Sequence, residues 1–457
     1  MNPLNKEILS LAIPSILANI TVPLVGMADI AVAGHLGGGN GAAALIGGIT
    51  IGTMLFDLLY WNFAFLRSGT GGLTAQAYGR LLAGSDGVDQ VHGILLRALK
   101  IALLSGVALI ALQWVVLWLA FLLVDCTPQV RELASEYFKI RIWAAPATLS
   151  LFAFKGWFIG LQDTVRPMIA DLIVNGLNIA LSFGLGFGLC GLPAMGFAGV
   201  AAGTLIAQWC GFTYAAFAAR HALGQLVDQD QDQQYTVDQV QAPSFFRMNR
   251  DLVLRSLGMI AVYIGFTVIS AKFGDTMLAV SAILMKLLLV FSYFTDGFAY
   301  AGEALTGRFI GAGDKLGVHA AVKGCFIWGW GLAGAFMLMY GLGGVPAFHL
   351  LTSDVTVVEA GREFIPWLLL MPLIGVPAFI WDGVFTGATA TSAMRDSTLL
   401  CAVGFFAVWF GGYYLALALG KEAPAGPTAI HILMAAYFVH LAIRSIYLTL
   451  YWWRVKK

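Results

Sequence analysis

The stretch ILSLAIPSILANITVPLVGMADIAVA at residues 8–33 decides the fold class of this chain. It is apolar almost throughout, and its one ionisable residue is Asp29. A membrane-spanning helix needs about 20 predominantly apolar residues, whereas the apolar region of a signal peptide has about 7–15. We therefore predict that this stretch is a first transmembrane helix that is retained.

The composition of the whole chain agrees with that prediction. Of its 457 residues, 59% are hydrophobic and 11% are charged, and the mean hydropathy is +0.81. A soluble protein carries about 25% charged residues, so too few charges remain here to cover a soluble surface. The net charge of +1 leaves no basic region for nucleic acid. Disordered chains, secreted disulfide scaffolds and DNA-binding modules are excluded.

Apolar runs separated by short polar segments predict an all-α polytopic membrane protein with twelve transmembrane helices. The predicted spans are 8–34, 43–66, 93–123, 131–160, 166–188, 196–219, 250–271, 276–300, 317–342, 357–386, 397–419 and 427–453. With the N-terminus inside, the cytoplasmic segments hold thirteen Lys and Arg residues and the outer segments four. The positive-inside rule therefore predicts a cytoplasmic-membrane protein with both termini in the cytoplasm.

The chain also divides into two pseudo-symmetric halves. A hydrophilic stretch at 221–249, interpreted as a cytoplasmic linker, separates an N-lobe at 1–220 from a C-lobe at 250–457. LTAQAYG at 73–79 matches LTGRFIG at 305–311, an offset of 232. EYF at 136–138 and KGWFIG at 155–160 match EFI at 363–365 and DGVFTG at 382–387, an offset of 227. Six helices per half make the repeat parallel, which is typical of transporters that rock around a central cavity.

One carboxylate stands deep in the first predicted helix. A charge inside the bilayer costs at least ~2.5–3.5 kcal/mol, so Asp29 needs a reason to be there. Low dielectric favours the neutral form of a carboxylic acid, which would let this group exchange a proton. Pro14 and Pro23 each remove a backbone hydrogen bond, so the helix can bend in response. We interpret Asp29 as a proton-coupling residue; a structural carboxylate bonded to a neighbouring helix is the alternative.

The fifth predicted helix carries a polar stripe. Its members are spaced four, three and four residues apart and share one helical face: Asp171, Asn175, Asn178 and Ser182. We interpret the stripe as the lining of a substrate cavity near Asp29, together with Asn19, Tyr137 and Thr204. Hydrogen bonding between packed helices is the alternative explanation. Asp57, Tyr60 and Trp61 lie on adjacent turns of the second helix.

Charged residues in the second half are further candidates for the cavity: Lys286, Asp296, Glu303 and Asp382. Ion pairs that only hold this half together are the alternative. Lys155 and Asp382 occupy equivalent positions of the repeat with opposite charge, so a pair across the cavity is also consistent with the sequence. Lys139 and Arg141 lie deep in the fourth helix and receive no role at this stage.

Sequence signatures of metal, nucleotide and redox chemistry are missing. The five cysteines form no C-x-x-C motif, and no P-loop or H-E-x-x-H motif occurs. Cys126 and Cys190 either pair at the outer side or are small residues of apolar helices. A G-x-G-x-x-G match at 186–191 ends an apolar helix without a βαβ context, so it does not predict a nucleotide site. We expect no enzyme activity and no cofactor, and an ion gradient as the energy source of a secondary transporter.

Motifs along nearly the whole chain resemble those of the multidrug and toxic compound extrusion (MATE) family, in its DinF-type branch. In the first half they are AIP at 12–14, NITVPL at 19–24, Asp29, GHL at 34–36, FLR at 65–67 and GLTAQAYG at 72–79. In the second half they are NRD at 249–251, DGFAYA at 296–301 with Glu303, and Asp382-Gly383 with Phe385 and Gly387-Ala-Thr389.

This resemblance implies export of organic, often cationic or amphipathic compounds in exchange for protons or sodium ions. Two lobes in one chain favour a functional monomer. Asp29 looks like the protonation site of the branch, and Asn178 and Thr204 match members of its polar network. Many relatives have a second aspartate where this chain has Ser182, and this departure favours protons over sodium. Dyes, bile-salt-like amphiphiles and antibiotics are all compatible with the cavity composition.

Two hypotheses from other classes remain at this stage. A lipid-linked precursor flippase would need a cationic cavity to grip pyrophosphate, whereas here the membrane carboxylates at least balance the lysines. A membrane-embedded enzyme would need a cluster of catalytic groups or metal ligands at one membrane face.

Overall fold

The computed structural model describes residues 3–36, 42–84, 88–124, 126–229, 242–352, 354–418 and 426–455. These ranges form helices joined by short turns, and none of them contains a strand. The helices of the first half are α1 (Pro3–Leu36), α2 (Ala42–Trp61), α3 (Phe65–Leu82), α4 (Val88–Ala111), α5 (Gln113–Leu123), α6 (Pro128–Arg141), α7 (Ala145–Gly160), α8 (Val165–Phe187) and α9 (Phe197–Gln229). Those of the second half are α10 (Ala242–Ala271), α11 (Asp275–Gly311), α12 (Lys315–Leu351), α13 (Val355–Arg362), α14 (Ile365–Gly387), α15 (Thr391–Ala418) and α16 (Pro427–Val455).

Twelve segments in the described part of the chain are long and apolar enough to cross a bilayer, which confirms the predicted all-α fold class. Some helix ends differ from the prediction. Predicted spans two and eight end at 66 and 300, but α3 and α11 continue to Leu82 and Gly311. Small residues and Arg80 or Arg308 lower the hydropathy of these continuations. Their helical structure persists because they pack against α7 and α14.

The hydrophilic stretch at 221–249 is partly helical. Helix α9 continues to Gln229, and α10 already begins at Ala242. Ala222, Leu223, Gln225 and Leu226 are good helix formers and outweigh Gly224, so α9 extends past the point where its apolar character ends. The segment 230–241, which contains most of the acidic and glutamine-rich run, lies outside the described residues.

The helices assemble into two compact units. The first unit is Leu17–Phe245, and the second combines Met1–Ile16 with Phe246–Lys457. Helix α1 therefore contributes to both units. Its first turns are held within the second unit, where Arg308 Nη2 donates to Glu7 Oε2 at 3.1 Å. Gly297 of α11 leaves the space that Ile16 of α1 occupies.

The internal repeat reappears as one helix crossing in each unit. In the first unit, a Cβ atom at Gly156 of α7 would collide with the backbone carbonyl of Arg67 on α3. In the second, a Cβ atom at Gly383 of α14 would collide with the carbonyl of Ala299 on α11. One turn later the close approach recurs at Gly160 and at Gly387. These pairs stand at the sequence offsets of 227 and 232, so both halves use glycine to bring the same two helices together.

All five cysteines are free in the structure. Cys126 and Cys190 therefore do not pair, and the disulfide alternative is wrong for this structure. Cys325 and Cys401 are buried within α12 and α15, where they act as small apolar residues.

Candidate functional site

Asp29 lies near the C-terminal end of α1 and is 5% exposed. Its Oδ1 accepts a hydrogen bond from Ser182 Oγ of α8 at 2.9 Å. Ser182 Oγ also lies 3.5 Å from Asn178 Oδ1. Asn178 Nδ2 in turn donates to Thr204 Oγ1 of α9 at 2.8 Å. These four residues, called the Asp29 network below, connect three helices of the first unit.

Thr204 determines the direction of the hydrogen bonds in the Asp29 network. The hydroxyl of Thr204 donates to the carbonyl of Val200 at 3.2 Å, so its oxygen accepts from the Asn178 amide. The amide oxygen of Asn178 is consequently the atom that faces Ser182. Ser182 has a single hydroxyl proton, and the shorter contact shows that it goes to Asp29.

Glycines bring the three helices close enough for these contacts. A Cβ atom at Gly203 of α9 would lie 2.9 Å from the backbone nitrogen of Ser182. Gly199, one turn earlier, approaches the Leu185 carbonyl in the same way, at 2.6 Å. On the other side of α8, Gly186 makes room for Val32 of α1. The sequence thus places small residues where α1, α8 and α9 must pack around the carboxylate.

The residues of the predicted polar stripe on α8 contact different neighbouring helices. Asn178 and Ser182 belong to the Asp29 network. Asn175 Nδ2 donates to Thr21 Oγ1 of α1 at 2.6 Å. Asp171 Oδ2 pairs with Lys155 Nζ of α7 at 2.7 Å. Asp171 therefore has a positive partner of its own and does not supply a second carboxylate to Asp29.

Two other predicted cavity residues stand apart from Asp29. Asn19 is buried in α1 at 7% exposure, ten residues before Asp29 and so about 15 Å away along the helix. Tyr137 of α6 is fully buried, and its hydroxyl accepts from Arg141 Nη1 at 3.0 Å. Tyr137 thus reaches the neighbourhood of Asp29 through Arg141.

Arg141 is the residue that sequence reasoning left without a role. Its guanidinium lies over the ring of Phe56, with Cζ 4.7 Å from the ring centroid. Its charge acts on Asp29 and on Asp57 of α2. Lys139, two residues earlier, points elsewhere, because its Nζ lies 4.7 Å from the ring centroid of Trp114 on α5. A charge deep in a predicted span was the signal, but its partners could not be identified from spacing.

In the second unit, the charge of Asp382 is neutralised by two arginines. Arg255 of α10 forms an ion pair with its carboxylate. Arg444 of α16, which is 1% exposed, donates from Nε to Asp382 Oδ1 at 3.1 Å. Lys155 and Asp382 thus each have a partner of opposite charge within their own unit. Sequence reasoning missed both arginines, although each is a charge in an apolar span.

Of the remaining candidates in the second unit, only Asp296 belongs to the charged cluster around Asp382. Asp296 acts electrostatically on Arg444 and so belongs to this charged cluster. Glu303 is fully buried where α11 crosses α14. Lys286 is exposed on α11, ten residues and about 15 Å before Asp296. Across the described residues, no three His, Cys, Asp or Glu side chains come together as a metal-binding group.

Comparison with known proteins identifies relatives over most of the chain. The family model MatE matches residues 14–183 and 252–408. The DNA damage-inducible protein F of Escherichia coli (strain K12) is 33% identical over 424 residues, which cover 91% of this chain and 88% of the relative. A probable multidrug resistance protein NorM of Thermotoga maritima is 23% identical, over 93% of this chain and 87% of its own length. The solved structure of a MOP superfamily transporter from Pyrococcus furiosus superposes with a TM-score of 0.78 at 17% identity, covering 99% and 97% of the two chains.

Proposed function

The chain belongs to the MatE family, and from that premise we propose that it is a proton-coupled antiporter that exports organic cations and amphipathic compounds. The Asp29 network is the observation that carries the proposal. It holds a carboxylate inside a membrane span, and the hydrogen bond to this carboxylate comes from an uncharged hydroxyl. Such a group can change its protonation state without breaking an ion pair. The multidrug resistance protein among the relatives supports the substrate class.

The single proton of Ser182 offers a way to transmit protonation of Asp29. While Asp29 is ionised, the Ser182 hydroxyl donates to it. Once Asp29 is protonated, the carboxylic acid can donate to Ser182 Oγ, and the hydroxyl proton is then free to turn towards Asn178 Oδ1. Protonation thereby replaces an α8-to-α1 hydrogen bond by one that runs from α1 to α8 and strengthens the contact with Asn178.

Helix α1 is the element that we expect to respond. Pro14 and Pro23 lie on either side of the point, between Ile16 and Leu17, at which α1 passes from the second unit to the first. Each proline removes one backbone hydrogen bond, so this part of the helix bends at low energetic cost. Protonation of Asp29 would change the bend, and substrate and proton would favour different conformations of the transporter.

Sodium-coupled antiport of the same substrates is the second candidate function. Carboxylate, hydroxyl and amide oxygens converge in the Asp29 network, and hard cations bind such oxygens. Protons are favoured because the network contains one carboxylate, and both Asp171 and Asp382 already have cationic partners. A lipid-linked precursor flippase is disfavoured, since two carboxylates, Asp29 and Asp57, act on the one guanidinium of Arg141.

The location and assembly of the transporter follow the same reasoning. It is a multi-pass membrane protein, and the distribution of Lys and Arg supports the cytoplasmic membrane with both termini in the cytoplasm. Two units within one chain support a functional monomer that uses no cofactor besides its coupling ion.

Efflux from reconstituted vesicles tests the proposal. Wild type and Asp29→Asn are compared for export of the dye ethidium under an imposed pH gradient, with and without sodium. We expect gradient-driven efflux in the wild type and only the leak of empty vesicles in the variant. Asp163→Asn is the matched control, since Asp163 lies in the turn before α8, where its carboxylate pairs with Arg166. Normal efflux by Asp29→Asn would refute the coupling role, and a sodium-only response of the wild type would favour the second candidate.

A further inference from the structure

Helix α1 passes from one unit to the other without a break in its helical structure. Its residues up to Ile16 belong to the second unit, and those from Leu17, including Asp29, belong to the first. The helix is nevertheless continuous from Pro3 to Leu36. A bend in such a helix displaces whichever half is free to move. The effect of a bend in α1 therefore depends on how firmly its first half is attached to the second unit.

The first turns of α1 are held by an ion pair that joins two nitrogens to two oxygens. Arg308 of α11 donates from Nη1 to Glu7 Oε1 and from Nη2 to Glu7 Oε2, the second at 3.1 Å. The two side chains are 16% and 32% exposed. A guanidinium that meets both oxygens of one carboxylate fixes orientation as well as distance. The pair therefore restrains both the position and the direction of the start of α1.

Apolar side chains of α1 extend this attachment along the helix. A Cβ atom at Gly324 of α12 would lie 2.5 Å from Ile8 Cδ1. One at Gly297 of α11 would lie 2.5 Å from Ile16 Cγ1 and 2.7 Å from the carbonyl oxygen of Ala12. Ile8 and Ala12 are fully buried. Residues at intervals of four share one helical face, so this face of α1 packs closely against the second unit.

The packing of α1 becomes much looser immediately after this face. Large apolar side chains between the unit boundary and Asp29 are 49–67% exposed: Leu17, Val22, Leu24 and Met27. Pro23 removes one backbone hydrogen bond within this stretch. Beyond it, Ser182 of the first unit donates to Asp29. Helix α1 thus has a closely packed first part, an exposed middle and an end that carries the candidate proton-binding group.

The internal repeat shows that the arginine accompanies this passage of α1 into the second unit. In the matching motifs at 73–79 and 305–311, Gln76 stands where the second half has Arg308. Helix α10, the first helix of the second half, has residues 242–245 in the first unit, about one turn. The part of α1 in the second unit, from Pro3 to Ile16, makes about four turns. The charge therefore occurs in the half that has a long stretch of helix to hold.

We propose that Glu7 and Arg308 are positioning residues of the transport cycle, because their ion pair fixes the first part of α1 on the second unit. This inference rests on the proposed function and deepens it. With the pair intact, a bend of α1 caused by protonation of Asp29 has to displace one unit relative to the other. With the pair broken, the first turns of α1 move instead and absorb the bend. Protonation of Asp29 then no longer drives the change of conformation, although substrate can still cross.

Two rates measured on reconstituted vesicles separate coupling from folding. The first is ethidium efflux under an imposed pH gradient, and the second is ethidium exchange with equal pH on both sides. Wild type is compared with Glu7→Gln and with the double variant Glu7→Arg, Arg308→Glu, which restores the pair with its charges exchanged. Asp396→Asn is the matched control. It removes a carboxylate from another ion pair of the second unit, whose Arg395 keeps Asp251 as a partner.

We expect Glu7→Gln to lower gradient-driven efflux about tenfold, because a half-buried guanidinium loses its counter-charge and releases α1. Exchange at equal pH should stay within about twofold of the wild type, since substrate alone still shifts the conformational equilibrium. The double variant should recover about half or more of the gradient-driven rate, and Asp396→Asn should keep both rates. Wild-type gradient-driven efflux in Glu7→Gln, equal loss of both rates in folded protein, or a folded double variant without recovery overturns the inference.

A second variant tests the attachment without touching a charge. Gly324→Leu fills the space that Ile8 occupies, whereas Gly331→Leu, on the same helix, meets nothing within 4 Å of its Cβ atom. We expect Gly324→Leu to lower gradient-driven efflux several-fold with exchange retained, and Gly331→Leu to lower neither. Equal gradient-driven efflux in both leucine variants overturns the inference alone, even if Glu7→Gln does not fold. A wild type without gradient-driven efflux overturns the proposed function as well.

Discussion

At one position of the internal repeat the first unit has Lys155 and the second has Asp382. Both side chains are paired, but with partners of opposite sign: Asp171 on α8 for the lysine, and Arg255 and Arg444 for the aspartate. The repeat has therefore kept a charge pair at this position while its polarity has reversed. An ion pair that connects helices depends on complementarity between partners, so the sign at either site can change if the partner changes with it.

The carboxylates of Asp382 and Asp29 differ in the kind of partner that each one has. Asp382 is held by two guanidinium groups, whereas the hydrogen bond to Asp29 comes from a serine hydroxyl. Removing the charge of Asp382 would leave buried arginines uncompensated, while Asp29 can be neutralised within its network. One carboxylate is thus suited to holding helices together and the other to exchanging a proton.

The largest effect is expected where the two units are alike. Gly156→Ala and Gly383→Ala each place a Cβ atom against a backbone carbonyl of the crossing helix, which cannot move aside as a side chain would. We expect each to cost about 3 kcal/mol or more and to abolish the monodisperse peak in size-exclusion chromatography. Gly176→Ala and Gly334→Ala are the controls, because nothing lies within 4 Å of the added atom. If only one of the two substitutions, Gly156→Ala or Gly383→Ala, were destabilising, the two helix crossings would not be equivalent.

The second effect separates the two charge clusters. Asp382→Asn leaves the fully buried Arg444 without a full counter-charge, and we expect a loss of about 3–5 kcal/mol in thermal or denaturant unfolding. Asp171→Asn should cost about 1 kcal/mol or less, because Lys155 and Asp171 side chains are 20% and 30% exposed. Adding Arg444→Gln to Asp382→Asn should recover part of the loss. If Asp382→Asn and Asp171→Asn lowered the free energy of unfolding equally, the burial of the two ion pairs would not determine their contribution to stability.

A third effect concerns the coupling ion. Ser182→Asp places a second carboxylate beside Asp29, and two such groups about 3 Å apart do not both ionise unless a cation lies between them. We expect sodium to stimulate ethidium efflux several-fold in this variant and to have little effect in the wild type. Asn175→Asp is the control, because Asn175 bonds to Thr21 and not to Asp29. Sodium stimulation of both variants would indicate a general charge effect.

The smallest effect is at the N-caps of α6 and α13, which are also equivalent in the repeat. Thr127 accepts from the Val130 amide at 3.4 Å, and Asp354 accepts from the Thr356 amide at 2.8 Å. Hydrogen bonds from the Thr356 side chain and amide lower the pKa of the Asp354 carboxyl below its ordinary value of 3.8. Its contribution to stability is therefore complete above pH 3.8 and is lost as the pH falls through the lower native value.

Thermal unfolding checks this prediction. We expect Asp354→Ala to lower the Tm by no more than about 2 °C at neutral pH, with the difference from wild type disappearing in acid. Thr127→Ala should give a similar decrease without the pH dependence, because threonine has no ionisable group. A pH-independent difference for Asp354→Ala would show that its charge does not contribute to capping.

Much of the molecule could be predicted from local patterns. Hydropathy located the twelve spans found among the described residues, because transfer into a bilayer is summed over consecutive residues and needs no knowledge of neighbours. Helical spacing placed Asn178 and Ser182 on one face, where the structure connects them to Asp29 and Thr204. The offsets of the repeat predicted equivalent segments, and the glycine crossings show them.

The sequence by itself determined the fold class, the repeat, the family and the position of the buried carboxylate, since each of these depends on the residues within short segments of the chain. Only the tertiary structure decided the partners of the charges. Arg444 follows Asp382 by 62 residues, and Arg141 lies far along the chain from Asp29. Whether such charges meet depends on which face each helix turns towards its neighbour. That orientation follows from the combined packing of several helices, with glycines setting how closely they approach, and no single segment contains it.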